Sequence, residues 1–110
     1  MTPILLALGA SLLCWKPHPF IYHARYWVEI SAVAERADVL RFEYGTGTDE
    51  AMTDVYLVDT VVATGDAYRT EAANPMDLSF KPAKNSRFDL EIRDRSRDMV
   101  VSRLRGFRCD

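Results

Sequence analysis

The sequence contains few of the residues from which metal centres, nucleotide sites and catalytic sites are usually built. Its 110 residues include only two cysteines, two histidines and five glycines. The cysteines and histidines follow neither the C-x-x-C nor the H-E-x-x-H spacing of zinc sites. There is no nucleophile elbow and no dinucleotide fingerprint, and the GTGT segment at 45–48 lacks the lysine and the helix of a phosphate-binding loop. We therefore expect neither a metal nor a cofactor, and we expect that the protein is not an enzyme.

The chain also lacks a strong net charge, since its formal net charge at pH 7 is only −2. Nucleic-acid-binding domains are usually strongly basic, so no nucleic-acid partner is expected. The charges are nevertheless unevenly distributed. Between Glu29 and Asp77 eleven acidic residues stand against three basic ones, whereas between Ser79 and Asp110 nine basic residues stand against five acidic ones.

The basic excess near the C-terminus consists mainly of arginine. The arginines from position 93 onward are Arg93, Arg95, Arg97, Arg103, Arg105 and Arg108. Arginine supplies the planar, multidentate donors that protein interfaces favour, so these residues predict contact with a protein partner that has an acidic surface. The alternative is that they are solvated charges that protect the edge of a sheet from pairing.

The longest uncharged stretch lies at the N-terminus, where Ile4 to Trp15 are continuously apolar or small. This length matches the apolar core of a signal peptide and falls short of the roughly 20 residues of a spanning helix. We expect residues 1–15 to be a signal peptide, with cleavage after Ala10, or an apolar anchor that associates with a membrane. The alternatives are a short buried helix and lipid attachment at Cys14. An export signal predicts an extracytoplasmic location, whether periplasmic, secreted or membrane-associated.

The two cysteines, Cys14 and Cys109, lie near opposite ends of the chain. Two cysteines in an exported domain favour a disulfide. Closing a loop of this length contributes around 4 kcal/mol in the chain-entropy view. Lipid attachment at Cys14 is the other use predicted for a cysteine here.

Beyond a linker predicted at 16–24, the hydrophobic pattern changes to a period of two residues, which is typical of half-buried strands. The strand-like segments are RYWVEISAV, VLRFEYG, VYLVDTVVA, LSFK, RFDLEIR and MVVSRLRGFRC. The long apolar run VYLVDTVVA predicts a strand that is central or covered on both faces. Gly106 in the last segment predicts a bulge.

Turn residues separate these segments at short intervals, so residues 25–110 predict one antiparallel β-sandwich of six or seven strands, immunoglobulin-like in outline. A small closed barrel is the alternative fold. The side chains predicted to form the centre of the core are Leu40, Phe42, Leu57, Phe88, Leu90 and Ile92.

The short apolar leader, the strands YWVEISAV and VLRFEYG and the closing hairpin FDLEIRDRSRDMVVSRLRGFRC carry a family resemblance. In layout, residues 26–109 resemble the small exported β-sandwich proteins of bacteria, including the MmpS-type accessory proteins of membrane transporters. The resemblance implies an extracytoplasmic accessory or binding domain, and it transfers no catalytic residues.

Two functions remain open on the sequence. The first is a non-enzymatic extracytoplasmic binding or assembly module, an accessory or structural subunit of a larger envelope or particle complex, which acts through a strand edge or a surface. The aromatic segment PHPFIYHARYW supports it. The second is a small inhibitor or immunity-type protein that blocks a partner enzyme with the acidic segment GTGTDEAMTD.

Overall fold

The computed structural model describes residues 11–33, 36–71 and 75–109, with the backbone alone at 36–38. These residues form an antiparallel β-barrel in which each strand pairs with its neighbour in sequence and the last strand pairs with the first. The strands are β1 (Ser11–Pro17), β2 (Arg25–Val33), β3 (Arg36–Gly47), β4 (Met52–Thr64), β5 (Ala67–Thr70), β6 (Met76–Pro82), β7 (Arg87–Asp94) and β8 (Met99–Cys109). One 3-10 turn, Lys84–Ser86, joins β6 to β7.

The all-β, antiparallel fold class predicted from the sequence is confirmed, but the immunoglobulin-like sandwich is wrong. Two packed sheets require strands that cross from one sheet to the other, whereas here the eight strands run in sequence order around a single closed sheet. The error has a physical origin. Period-two alternation shows that one face of each strand is buried, and both a sandwich and a barrel bury one face.

The predicted boundary between leader, linker and domain is also wrong for the described residues. β1 occupies Ser11–Pro17, inside the segments assigned to the leader and the linker, and pairs with β2 from Ser11↔Ser31 to Pro17↔Arg25. Residues 18–24 form the loop of this hairpin and are not a linker. The rest of the predicted signal peptide, residues 1–10, lies outside the described residues. In the described ranges, no helix is long and apolar enough to cross a membrane.

A disulfide between Cys14 and Cys109 joins the first strand to the last. Among the described residues, the β1–β8 seam that closes the barrel contains two residue pairs, Cys14↔Cys109 and Trp15↔Arg108. The disulfide lies at one of these pairs, so it is a covalent closure of the barrel. Because the sulfur of Cys14 is bonded to Cys109, the alternative of lipid attachment at Cys14 is wrong for this structure.

The barrel interior is filled by apolar side chains. The fully buried members of the core are Cys14, Val28, Ile30, Leu40, Phe42, Val61, Tyr68, Leu78, Phe80, Leu90, Ile92 and Phe107. The prediction of a buried core position is confirmed for Leu40, Phe42, Leu90 and Ile92. Leu57 and Phe88 are only partly buried and pack against this cluster.

Phe80 lies at the centre of the aromatic contacts in the core. Its ring stacks on that of Phe88 with centroids 4.9 Å apart and meets the edges of Phe42 and Phe107 at 5.9 and 5.6 Å. The short segment LSFK in the middle of the chain therefore supplies the residue that connects three other strands.

The prediction that the apolar run of β4 is central or covered on both faces is wrong. Val55, Tyr56 and Val58 are each at least half exposed. Within the described chain, β5 pairs only with Val61–Thr64 of β4, so residues 52–60 have a strand neighbour on the β3 side alone. The apolar run is long because β4 is long, and its first half lies on the surface.

Two bulges shape the ends of the barrel. On β8 the register shifts opposite Phe88 and Leu90, where Gly106 has φ of 83° and donates its N–H to Asp89 Oδ1 at 3.0 Å, as predicted for this glycine. On β3 the register shifts at Gly45. A Cβ at Gly45 would clash with the carbonyl oxygen of Asp54, so this close approach of two backbones requires glycine.

Candidate binding surface around Trp15

The β1–β2 hairpin presents an apolar tip to solvent. Its three consecutive residues Phe20, Ile21 and Tyr22 are 90%, 58% and 88% exposed. Single exposed apolar residues are common on proteins, but a contiguous group at the end of a hairpin marks a surface suited to interaction. This hairpin loop, residues 18–24, is the segment whose aromatic content stood out in the sequence.

His18 holds the tip in a defined conformation. Its Nδ1 accepts hydrogen bonds from the backbone N–H groups of Phe20 and Ile21, both at 3.1 Å. The His18 N–H donates to the Ala24 carbonyl at 3.0 Å, which closes the base of the loop. The apolar side chains are therefore exposed on an ordered loop.

A line of aromatic rings connects the hairpin to the interior of the barrel. His18 stacks on Tyr26 at 4.9 Å, Tyr26 on Tyr44 at 6.3 Å, and Tyr44 meets the edge of Tyr56 at 6.0 Å. Burial raises the pKa of Tyr44, and the nearby hydroxyls of Tyr26 and Tyr56 act in the same direction. The tip is thus coupled to the packed core through its own capping residue.

Beside the hairpin, arginine and tryptophan side chains alternate across three strands on the outer face of the barrel. The Arg25 guanidinium lies 3.8 Å from the centroid of the Trp15 ring and 5.8 Å from that of Trp27. Arg108 lies 5.5 Å from the Trp15 ring. These distances are in the range of cation–π attraction. We call this row, Arg108, Trp15, Arg25 and Trp27, the Arg–Trp ladder.

The ladder is tied to the loop between β3 and β4. Trp27 Nε1 donates to the Thr48 carbonyl at 2.9 Å, and Arg25 Nη1 donates to the Asp49 carbonyl at 3.0 Å. Trp27 faces outward yet is only 4% exposed. The loop therefore covers Trp27 and leaves Trp15 as the accessible ring of the ladder.

An open cleft of about 370 Å³ lies between the hairpin loop and the ladder. Its lining includes Trp15 and Arg25 of the ladder, Tyr22 and His23 of the hairpin loop, and Asp49. The cleft thus combines aromatic faces with a guanidinium and a carboxylate. It continues from the exposed tip, so the tip and the cleft form one surface.

The structure divides the six arginines predicted to face an acidic partner. Four of them form ion pairs with acids of the same chain: Arg93 with Asp98 at 3.1 Å, Arg95 with Asp77 at 3.3 Å, Arg97 with Asp94 at 2.9 Å and Arg103 with Glu91 at 3.0 Å. Hydrogen bonds from Ser96 and Arg97 lower the pKa of Asp94 to about 2. Arg108 belongs to the ladder, and Arg105 is exposed.

The acidic segment GTGTDEAMTD, which the second functional hypothesis treats as a plug, is largely strand. Residues 45–47 end β3 and residues 52–54 begin β4, so only residues 48–51 form a loop. Thr48 Oγ1 accepts from the Glu50 N–H at 3.2 Å, which makes this loop a tight turn. The loop available to the inhibitor hypothesis is therefore the turn at residues 48–51, and that hypothesis stays a prediction.

Sequence reasoning identified the aromatic segment but not the ladder. Trp15 was assigned to the leader, and Arg25 was read only as the start of a strand. The register of β1 against β2 and β8 brings them together, and no pattern within one strand reports that register.

Across the described ranges no group of three or more histidine, cysteine, aspartate or glutamate residues could hold a metal ion.

Comparison with protein-family models, curated proteins and solved structures yields no match for this chain. The resemblance to MmpS-type accessory proteins therefore stays a prediction.

Proposed function

We propose that this protein is a non-enzymatic extracytoplasmic binding or assembly module that recognises a protein partner through the tip of the β1–β2 hairpin. The observation that carries the proposal is the exposure of Phe20, Ile21 and Tyr22 on a loop fixed by His18. Ordering before binding lowers the entropy cost of association, and aromatic side chains are frequent centres of interface energy.

The extracytoplasmic location is supported by the disulfide between Cys14 and Cys109, because such bonds persist mainly in oxidising compartments. The predicted cleavage after Ala10 supports it as well. Cleavage at that point retains all the described residues of β1, Ser11–Pro17.

The shape of the tip favours a protein pocket as its receptor. The apolar residues protrude, and the cleft behind them carries the polar groups of Arg25 and Asp49. A partner that encloses the tip buries Phe20 and Tyr22 while its rim contacts the cleft, which is the usual arrangement of an apolar centre and a polar rim. Fully burying each large apolar side chain contributes about 1.5–3 kcal/mol.

The test uses the full chain expressed in its native source, with a photo-crosslinking residue at position 19, an exposed position beside the tip, and with cross-linking and co-purification as the readouts. In the variant Phe20→Ser/Tyr22→Ser we expect capture of the partner to weaken about a hundredfold or more. The matched control is Val55→Ser/Val58→Ser, which removes two exposed apolar residues from β4. The control is expected to bind as the wild type does.

Unchanged capture by the Phe20→Ser/Tyr22→Ser variant would overturn the proposal. Loss of binding in the β4 control alone would assign recognition to β4 instead. Sedimentation of the chain with phosphatidylcholine vesicles tests a membrane receptor: tip-dependent sedimentation without a cross-linked protein would contradict a protein partner. Capture of one soluble enzyme at equal stoichiometry would favour the inhibitor function.

Substitutions of His18 test whether the order of the loop matters. His18→Ala removes the acceptor for the two loop N–H groups, whereas His18→Asn retains a side-chain oxygen that accepts from N–H groups two or three residues later. We expect His18→Ala to weaken partner capture more than His18→Asn. Equal binding by both variants and the wild type would show that preorganisation by His18 contributes nothing.

A further inference from the structure

A second recess lies on the opposite side of Trp15 from the hairpin cleft. Arg87 of β7 and Arg108 of β8 are directly opposed across the two strands. Together with Trp15, Asn85 and Ser86 they line a recess of about 320 Å³. Among the described residues, no acidic side chain lines it.

The opposition of Arg87 and Arg108 is unfavourable in the absence of an anion, because like charges directly across two strands repel. In the part of the chain that the structure describes, neither arginine forms an ion pair with an acidic side chain. By contrast, Arg93, Arg97 and Arg103 on the same two strands and their turn are each paired with an acid. Among the described residues, no acidic side chain therefore offsets the repulsion between the Arg87 and Arg108 guanidiniums.

Trp15 contributes to the recess by positioning Arg108. The Arg108 guanidinium lies 5.5 Å from the centroid of the Trp15 ring. An arginine that contacts an aromatic face keeps its in-plane N–H donors available for a second partner. The amide of Asn85 and the hydroxyl of Ser86 add uncharged donors from the β6–β7 turn.

We propose that this recess binds a phosphate group. Two guanidiniums match the charge of a phosphate dianion, and the amide and hydroxyl match its further acceptor oxygens. A carboxylate has one charge and two oxygens, so it compensates the arginine pair less completely. The inference goes beyond the proposed function and does not depend on it, because its two arginines lie on β7 and β8, whereas the tip residues lie in the β1–β2 loop. Trp15 borders both surfaces.

The experiment is a titration of the full, disulfide-bonded chain with inorganic phosphate, followed by the Nε1–H resonance of Trp15 in nitrogen–proton NMR spectra and by calorimetry. We expect saturable binding that weakens with added salt, because ionic screening reduces attraction between exposed charges. Acetate, the carboxylate probe, is expected to bind at least about tenfold more weakly than phosphate, as expected from the loss of one charge-assisted interaction.

The decisive variant is Arg87→Gln, which removes one charge and no aromatic contact. We expect it to weaken phosphate binding by about tenfold to a hundredfold. The matched control is Arg105→Gln on β8, which removes the same charge from an exposed arginine outside the recess. It is expected to change binding less than about twofold, since one exposed charge at a distance contributes little. Arg108→Gln, whose loss of the Trp15 contact also affects stability, serves as a second variant after its spectrum confirms folding.

Absence of saturable phosphate binding would overturn the proposal, and so would equal weakening by Arg87→Gln and Arg105→Gln, which would indicate a general effect of charge. Equal affinity for acetate would contradict a dianion site. Vesicles of phosphatidylcholine with and without phosphatidic acid distinguish the source of the group: binding that requires phosphatidic acid and is competed by free phosphate assigns the recess to a lipid headgroup. The Phe20→Ser/Tyr22→Ser variant is expected to bind phosphate normally, which separates this site from the proposed tip interface.

Discussion

Removing the disulfide between Cys14 and Cys109 should destabilise the barrel by an amount comparable to its whole stability. The two cysteines are separated by 95 positions. In the chain-entropy view, releasing a loop of about a hundred residues costs about 4.7 kcal/mol. The total stability of a small domain is about 5–15 kcal/mol. Over the described residues the closing seam holds two residue pairs, and the disulfide lies at one of them.

The measurement compares urea unfolding of the oxidised protein, the reduced protein and the variant Cys14→Ala/Cys109→Ala. We expect the free energy of unfolding to fall by about 4–5 kcal/mol in the reduced protein and in the variant. Hydrogen exchange should locate the loss of protection first at β1 and at the end of β8 near Arg108. The variant is its own control for the reductant, because a chain without cysteines should unfold identically with and without it.

A decrease of less than about 1 kcal/mol would refute this reasoning, since it would mean that the unfolded chain gains almost no freedom when the loop opens. Uniform loss of protection across all strands, with no preference for the β1–β8 seam, would refute the structural part of the argument.

Three further predictions concern stability. Gly45→Ala, which would force a Cβ against the backbone of β4, should destabilise the protein by about 3 kcal/mol, whereas Gly65→Ala, at φ of 60° with open space around it, should cost only about 1 kcal/mol. Urea unfolding compares the two variants, and equal losses of stability would contradict the close approach of the two backbones at Gly45. Phe80→Ala should lower the free energy of unfolding by about 3–5 kcal/mol and Phe88→Ala by less, because Phe80 is fully buried and Phe88 is not. A larger loss for Phe88→Ala than for Phe80→Ala would place the centre of the core elsewhere. Because the pKa of Asp94 is lowered to about 2, its stabilising effect is present above about pH 4 and is lost as the pH falls toward 2. The free energy of unfolding, measured at several pH values, should therefore differ less and less between wild type and Asp94→Asn over this interval, and a constant difference would contradict the assignment.

The strands were predicted most accurately where apolar and polar residues alternate with a period of two. The segments RYWVEISAV and RFDLEIR coincide closely with β2 and β7, because in them apolar and polar residues alternate clearly. The segment MVVSRLRGFRC coincides with β8 although its alternation is less regular. β5, Ala67–Thr70, is too short to show a period, and no strand is predicted there from the sequence. β1 was missed because its buried residue Cys14 lies within a continuous apolar run, where no alternation is visible.

The candidate surface was predictable in one part and not in another. The aromatic residues of the hairpin tip stood out in the sequence, and their exposure follows from a loop too short to fold back on the barrel. The Arg–Trp ladder was not predictable, since it requires Trp15 of β1 to lie between Arg25 of β2 and Arg108 of β8. Residues so distant in sequence become neighbours only when the register of the strands is known.

Sequence alone predicts antiparallel strands with one buried face, inward positions at Leu40, Phe42, Leu90 and Ile92, and a bulge at Gly106 in the last strand. Local alternation and backbone preference carry that information residue by residue. The three-dimensional structure was needed to show that the sheet closes on itself, that Cys14 is bonded to Cys109 rather than free for lipid attachment, and which acids pair with the arginines of the closing hairpin. Closure and charge pairing depend on contacts between distant strands, whose energies arise when the strands meet and leave no periodic trace in any one of them.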